Sequence, residues 1–428
     1  MSLRLTLLVV LLSGVLVACL TTLNASGVRL ALGGDRTYDV PLMALVVGAF
    51  LAGAALAFVL GTLRDLERSY HDYQAARRAR RAETCHEIYQ RGVQAQVAGN
   101  AVAATEAYDE VLRHDPTHPE APLRLGELAR QRGDGQAALG HHLRALLAEE
   151  RIETLLILAE DYRRLGRADD TVQTYQRVLA RDRDHPAALR GIRDVAADRG
   201  RWAEALPPQE RLVRIASRED RPAEEAWLAG IHYELGKALL AEGKAQPAMS
   251  RFKDALRARP DFLPATLLLG DAHLKAGDPR EALRVWERAV EIEPVPPLLS
   301  RIEHLHRVDG RPARMISLYE EALARDPENV AVAFGLGRVY FELAMLDEAA
   351  EQFEKLEMRS PELSSVHAYL AAIFERRGQV REAFDEYRRA VRFAEGFDWA
   401  HRCSACGVEE PSWCDRCPSC RRWNTSHA

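Results

Sequence analysis

At 428 residues, 47% hydrophobic and 28% charged, the chain can bury a substantial core without a disulfide framework. A formal net charge of −5 leaves no electrostatic footprint for nucleic acid and argues against it as the partner. Sparse aromatics beside abundant Ala, Leu, Arg and Glu point to an all-α class.

Residues 5–23 form an uncharged run long enough to cross a hydrocarbon core at about 1.5 Å per residue. A second run, 40–63, carries Gly53, Ala57 and Gly61 at four-residue spacing. Another membrane helix can pack on that small-residue face, which leaves a homo-oligomer open. The two runs predict a transmembrane hairpin over residues 1–63. Its loop sets Arg29 and Arg36 against Asp35 and Asp39, whereas Arg64, Arg68, Arg77, Arg78, Arg80 and Arg81 fill a basic juxtamembrane linker at 64–84. By the positive-inside rule the bulk of the chain lies on the cytoplasmic side of an inner membrane. The alternative for the first run is a lipoprotein signal ending at Cys19, which would then be acylated and make the protein an envelope scaffold.

From residue 85 the chain repeats. Turn glycines stand at 99, 133, 166, 200, 243, 277, 310 and 378, with Ala344 in one place. Most lie 33 or 34 apart, and a gap of 43 leaves room for an inserted "SREDRPAEEA". Five positions after each turn comes a small residue, as at Ala104, Ala138, Ala205, Ala248, Ala282, Ala349 and Ala383, where two antiparallel helices approach closely. Four further on sits a ring, at Tyr108, Tyr175, Phe252, Trp286, Tyr319, Phe353 and Tyr387, filling the space between repeats. Pro116, Pro260, Pro294, Pro327 and Pro361 then stop the second helix. The pattern resembles the tetratricopeptide repeat over residues 85–397, about nine units. That resemblance implies a right-handed superhelical solenoid whose groove binds proteins.

Two repeats are irregular. Pro207 and Pro208 interrupt what should be a helix, predicting a kink or a late start, and "VPPLLSRIEHL" lacks the usual glycine. His141 and His142 invite a metal reading, but position 142 is a ring slot, so packing is expected there. No nucleotide-binding glycine loop, paired-carboxylate motif or H-E-x-x-H occurs, so no catalytic or organic-cofactor residues are assigned and no enzyme is expected.

The chain closes, over 398–428, on Cys403-x2-Cys406, ten residues beginning with Gly407, then Cys417-Pro418-Ser419-Cys420. Two residues between cysteines let both sulfurs converge on one ion, and two such knuckles supply four tetrahedral ligands. Zinc is favoured because nothing nearby implies redox chemistry, although a four-thiolate site also accepts iron and would then suit electron transfer. Cys414 is read as a spare thiol.

Spans, basic stretch, repeats and knuckle pair together resemble the lipopolysaccharide assembly protein B family, most specifically at the two knuckles and Trp423. The hairpin of the first 63 residues is similar instead to lipopolysaccharide assembly protein A. The family resemblance implies a rubredoxin-like C-terminal domain. It also implies an adaptor role, promoting turnover of the lipid A deacetylase by the membrane AAA protease. One departure is "WCDR", where Trp413 is displaced and Cys414 stands in register before the third ligand.

Overall fold

The computed structural model describes residues 12, 14–20, 22–23, 26–31, 37–393 and 401–427. The chain divides into two compact units, Met1–Gly133 and Asp134–Ala428. In the first, residues 14–20 are helical. Strands β1 (Gly27–Ala31) and β2 (Thr37–Pro41) then pair antiparallel with Gly27 opposite Pro41, and α1 runs from Leu42 to Val97. Most of the span expected at 5–23 lies outside the described residues. Among the described residues, one helix, α1, is long and apolar enough to cross a membrane, in place of the expected pair.

Helix α1 does not stop at Leu63. Residues 64–84, expected as a linker, continue it, because no glycine or proline occurs between Gly61 and Gly92 and the stretch is rich in the strong helix formers Ala and Arg. The first buried side chains, Cys85 and Ile88, follow Leu63 by 22 residues or more, about 33 Å along the axis. The end of α1 packs on α2 (Ala101–His114), and α2 on α3 (Glu120–Gln131).

The second unit continues the alternation with α4 (Gly135–Ala148), α5 (Ile152–Arg164), α6 (Ala168–Arg181), α7 (Pro186–Asp198), α8 (Trp202–Ile215), α9 (Arg221–Ala241), α10 (Ala245–Ala258) and α11 (Leu263–Lys275). It proceeds through α12 (Pro279–Val290), α13 (Pro296–Val308), α14 (Pro312–Arg325), α15 (Val330–Glu342), α16 (Leu346–Arg359), α17 (Ser364–Arg376) and α18 (Val380–Arg392). Each helix packs on its sequence neighbours within the unit, so the hydrophobic core is a row of clusters along the stack.

The repeat logic holds at the residue level. All eight turn glycines have positive φ, from 64° to 82°, and Ala344 adopts 59° in the same role. The seven small residues are buried, as are the rings except Tyr387. Gly236 and Gly270 show why the first helix of a repeat needs a bare backbone: a Cβ there would meet Phe252 at 2.6 Å and Trp286 at 2.2 Å.

The irregular repeats keep the architecture by different chemistry. Helix α8 begins at Trp202 and holds Pro207 and Pro208 inside it, so the late start expected from them does not occur. In this repeat Gln209 takes the ring slot and Arg193 stands sixteen residues before it, where Gly236 and Gly270 precede their rings; the two bond at 2.9 Å. The insertion lengthens α9 to 21 residues and brings in Glu224, which is buried and accepts from Arg193 (3.1 Å), Arg190 (2.8 Å) and Gln209 (2.9 Å). Further along, Glu303 occupies the missing glycine's place and accepts from the Tyr319 hydroxyl at 2.8 Å, with Arg338 and Arg307 beside it.

Candidate functional site

The knuckle folds from a three-stranded antiparallel sheet, β3 (His401–Cys403) between β4 (Glu409–Glu410) and β5 (Ser426–His427). Gly407, at φ 74°, lets the first loop turn back, so that Cys403 N–H donates to Val408 O at 2.9 Å. In the second knuckle Arg421 takes the same left-handed backbone at φ 58°, and its N–H donates to Cys417 O at 2.9 Å.

The sulfurs of Cys403, Cys406, Cys417 and Cys420 lie within 4.8 Å of one another, with Cys403–Cys420 at 3.7 Å and Cys406–Cys417 at 3.6 Å. A tetrahedron with metal–sulfur bonds of about 2.3 Å has edges of about 3.8 Å, so this donor set suits a zinc or ferrous ion. Burial opposes ionisation of Cys403, but the Thr425 hydroxyl and the amides of Ala405 and Cys406 outweigh it and bring the thiol down to about 6. Burial and the neighbouring cysteines push Cys420 up to about 12, as expected where four sulfurs share one space. Cys414 is half-buried and outside this group.

What the knuckle touches could not be read from spacing. Trp423 is buried against α9, over Gly230, where a Cβ would meet its ring at 2.5 Å. Trp202 and Trp227 meet Trp423 edge-on at centroid distances of 5.8 and 5.3 Å, and its indole N–H donates to Glu234 at 2.9 Å. Trp227 is itself held by the Arg193 guanidinium, 4.1 Å from its ring centre, so the polar network of the irregular repeat supports the docking surface.

Around this ring, Asp415 accepts from Tyr233 (2.6 Å) and Lys237 (2.8 Å), Arg421 pairs with Asp198 (2.8 Å), and Asn424 donates to Asp261 O (3.0 Å). Burial raises the Asp415 carboxyl, but the Lys237 and Tyr233 hydrogen bonds prevail and hold it below the usual range; burial and Asp415 push the Tyr233 phenol well up. Trp413, the displaced tryptophan, packs against the core cluster that contains Leu267 and Trp286. Between the knuckle and the leading ends of α11, α13 and α15 remains a cavity of about 1480 Å³, lined by Leu263, Val295, Pro297, Val330 and Arg422 among others.

His142 is buried, as its ring slot predicts, and the structure adds a pairing of its Nδ1 with Asp161. A second acid–imidazole group, missed in the sequence, joins Glu357, His367 and Glu386. Arg389 donates to both carboxylates, at 2.8 and 3.0 Å, and His367 bonds Glu386 at 2.7 Å, so the charges are answered within the protein.

Two tetratricopeptide-repeat family models match residues 89–151 with 158–220, and 239–301 with 309–373, together more than half of the chain. The chain belongs to the tetratricopeptide-repeat family. Proteins of this family generally bind other proteins and are not catalytic. Lipopolysaccharide assembly protein B of Escherichia coli (strain K12) is 22% identical over 348 residues, covering 79% of this chain and 88% of that protein. The Haemophilus influenzae protein of the same name is 23% identical over 319 residues, 72% of this chain and 78% of its own length. This tetratricopeptide-repeat protein is thus their distant relative. Among solved structures, yeast Tom70 matches 73% of this chain and 76% of its own at 14% identity, with a TM-score of 0.32, too low to compare the arrangement of repeats.

Proposed function

We propose that this protein is an inner-membrane-anchored cytoplasmic adaptor that regulates lipopolysaccharide assembly, presenting the lipid A deacetylase to the membrane AAA protease. The observation that carries the reading is the similarity to lipopolysaccharide assembly protein B over most of both chains. The long apolar part of α1, followed by the six arginines at 64–81, supports a membrane span with the repeats on the cytoplasmic side. Cys403, Cys406, Cys417 and Cys420 hold one zinc ion, which fixes the loops presenting Trp423 and Asp415 to the groove. Clients enter the cavity that the docked knuckle leaves open, and tethering raises their effective concentration at the protease.

The test is deletion of the gene followed by measurement of deacetylase half-life. A several-fold longer half-life, restored by the full chain but not by one beginning at Arg64, is the expected result. An unchanged half-life with damaged envelope integrity would remove the adaptor role and favour an envelope scaffold.

A further inference from the structure

A second cavity, of about 550 Å³, opens where Trp413, Cys414 and Asp415 of the knuckle face α9, α11 and Arg301 of α13. That volume falls within the roughly 300–1,000 Å³ of a small-molecule site. Among the described residues, Trp413 alone borders both this cavity and the larger one assigned to clients. Leu240, Leu267, Leu268 and Trp413 give it apolar walls that belong to the two central core clusters or pack against them. Three cations and one carboxylate complete the lining, and their charges do not balance. Asp415 answers Lys237 at 2.8 Å, and Asp271 answers Arg301 at 3.1 Å. Lys275 donates to the carbonyl of Leu240 at 3.4 Å, and among the described residues no carboxylate lies within 4.0 Å of its Nζ. One positive charge is thus left beside apolar walls without a negative partner.

We propose that this cavity binds a monoanionic amphiphile, its carboxylate paired with Lys275 and its hydrocarbon chain laid on Leu240, Leu267 and Leu268. Apolar burial supplies the bulk of the affinity, and the charge-assisted hydrogen bond selects an anionic head over a neutral one. Asp415, in the same lining, disfavours a second negative charge on the ligand and so excludes a phosphate dianion. The site is composite. Trp413 and Asp415 come from the knuckle and the other walls from the repeats, so it is complete only while the knuckle is docked. By linkage its ligand holds the knuckle down, raising the docked-to-undocked ratio about elevenfold when the free ligand stands at ten times its Kd. Such a site needs neither the span nor the adaptor role proposed above.

The test uses dodecanoate carrying a diazirine on its chain, irradiated with the full chain in isolated membranes and followed by peptide mapping. Adducts are expected on α11 between Pro264 and Lys275 and on residues 413–415. Lys275→Met, which keeps the stem and removes the charge, should lower them at least fivefold, and Lys275→Arg should retain them. Excess dodecanoate should compete where dodecanol does not. Labelling of the apolar part of α1 is the reference in each case, because it offers no cation to select a head group. Saturating dodecanoate should also slow oxidation of Trp423 several-fold. Labelling confined to α1, equal competition by dodecanol, or adducts indifferent to Lys275→Met would overturn the site. Cavity labelling with unchanged Trp423 oxidation would overturn its coupling to docking. Both readouts are independent of deacetylase half-life, so the adaptor role and this site can fail separately.

Discussion

Substituting Gly230 by Ala separates two quantities that most mutations move together. Gly230 lies inside α9, where alanine is the better helix former by about 1 kcal/mol, so the repeats alone should become slightly more stable. The added Cβ would sit 2.5 Å from the nearest atom of the Trp423 ring and 2.7 Å from two others, against an ordinary contact of about 3.4 Å or more. Trp423 must then retreat by about 1 Å, and Trp202, Trp227 and the hydrogen bond to Glu234 resist that shift. Overpacking of this kind costs about 1–3 kcal/mol, which lowers the docked-to-undocked ratio of the knuckle by about 5- to 150-fold. Oxidative footprinting of the full chain, read by mass spectrometry, reports the docking directly. Trp423, buried while seated on α9, should become several-fold more readily oxidised, while the amides of α11 to α16 keep their hydrogen-exchange protection and metal content stays constant. Gly230→Ala with Trp423 oxidation unchanged would refute the reasoning, because it would mean that Trp423 is not seated on α9.

Three further outcomes are expected. Purified protein should carry about one metal ion per chain by elemental analysis. Cys403→Ser or Cys420→Ser should abolish it and Cys414→Ser should leave it intact, whereas a red protein with a one-electron couple would indicate iron. Glu303→Ala, which removes the buried carboxylate that Arg338, Arg307 and Tyr319 share and leaves half-buried Arg338 only Glu342, should cost about 1–3 kcal/mol in denaturant unfolding. The same carboxyl gives a pH signature. Burial raises it, but the bonds from Arg338 and Tyr319 prevail and hold it below its ordinary 4.5, so its contribution is complete above that value and fades as pH falls through the lower folded value. In Glu303→Gln, acid titration of helicity should lack this component; an identical titration curve would show that the carboxylate is not stabilised by its arginines.

Both irregular repeats show how far a pattern can be read. The ring at Trp286 and the glycine at 270 are legible because each obeys a spacing shared by several repeats. Gln209 and Arg193 break the same spacing. Their pairing is legible only once Glu224, fifteen residues beyond Gln209, is seen to join them. The two prolines of α8 looked like a break. The helix absorbs them because its flanking neighbours, α7 and α9, hold it in place.

The sequence by itself determined the helical repeat, its turn glycines, the slots that become the core, and the two cysteine knuckles. These rest on contacts between residues close in the chain or one repeat apart, so steric and ligand-geometry rules act through short spacings that recur. Tertiary structure alone decided where the knuckle goes. Asp415 meets Tyr233 across 182 residues and Trp423 meets Glu234 across 189, at positions no period connects. It also decided that, among the described residues, Phe384 is exposed while Met249 and Ala350 in the equivalent slot are buried, because the same kind of side chain is core or surface according to what packs on it. A local pattern carries the chemistry of each contact, and only the folded chain supplies the second surface that the contact requires.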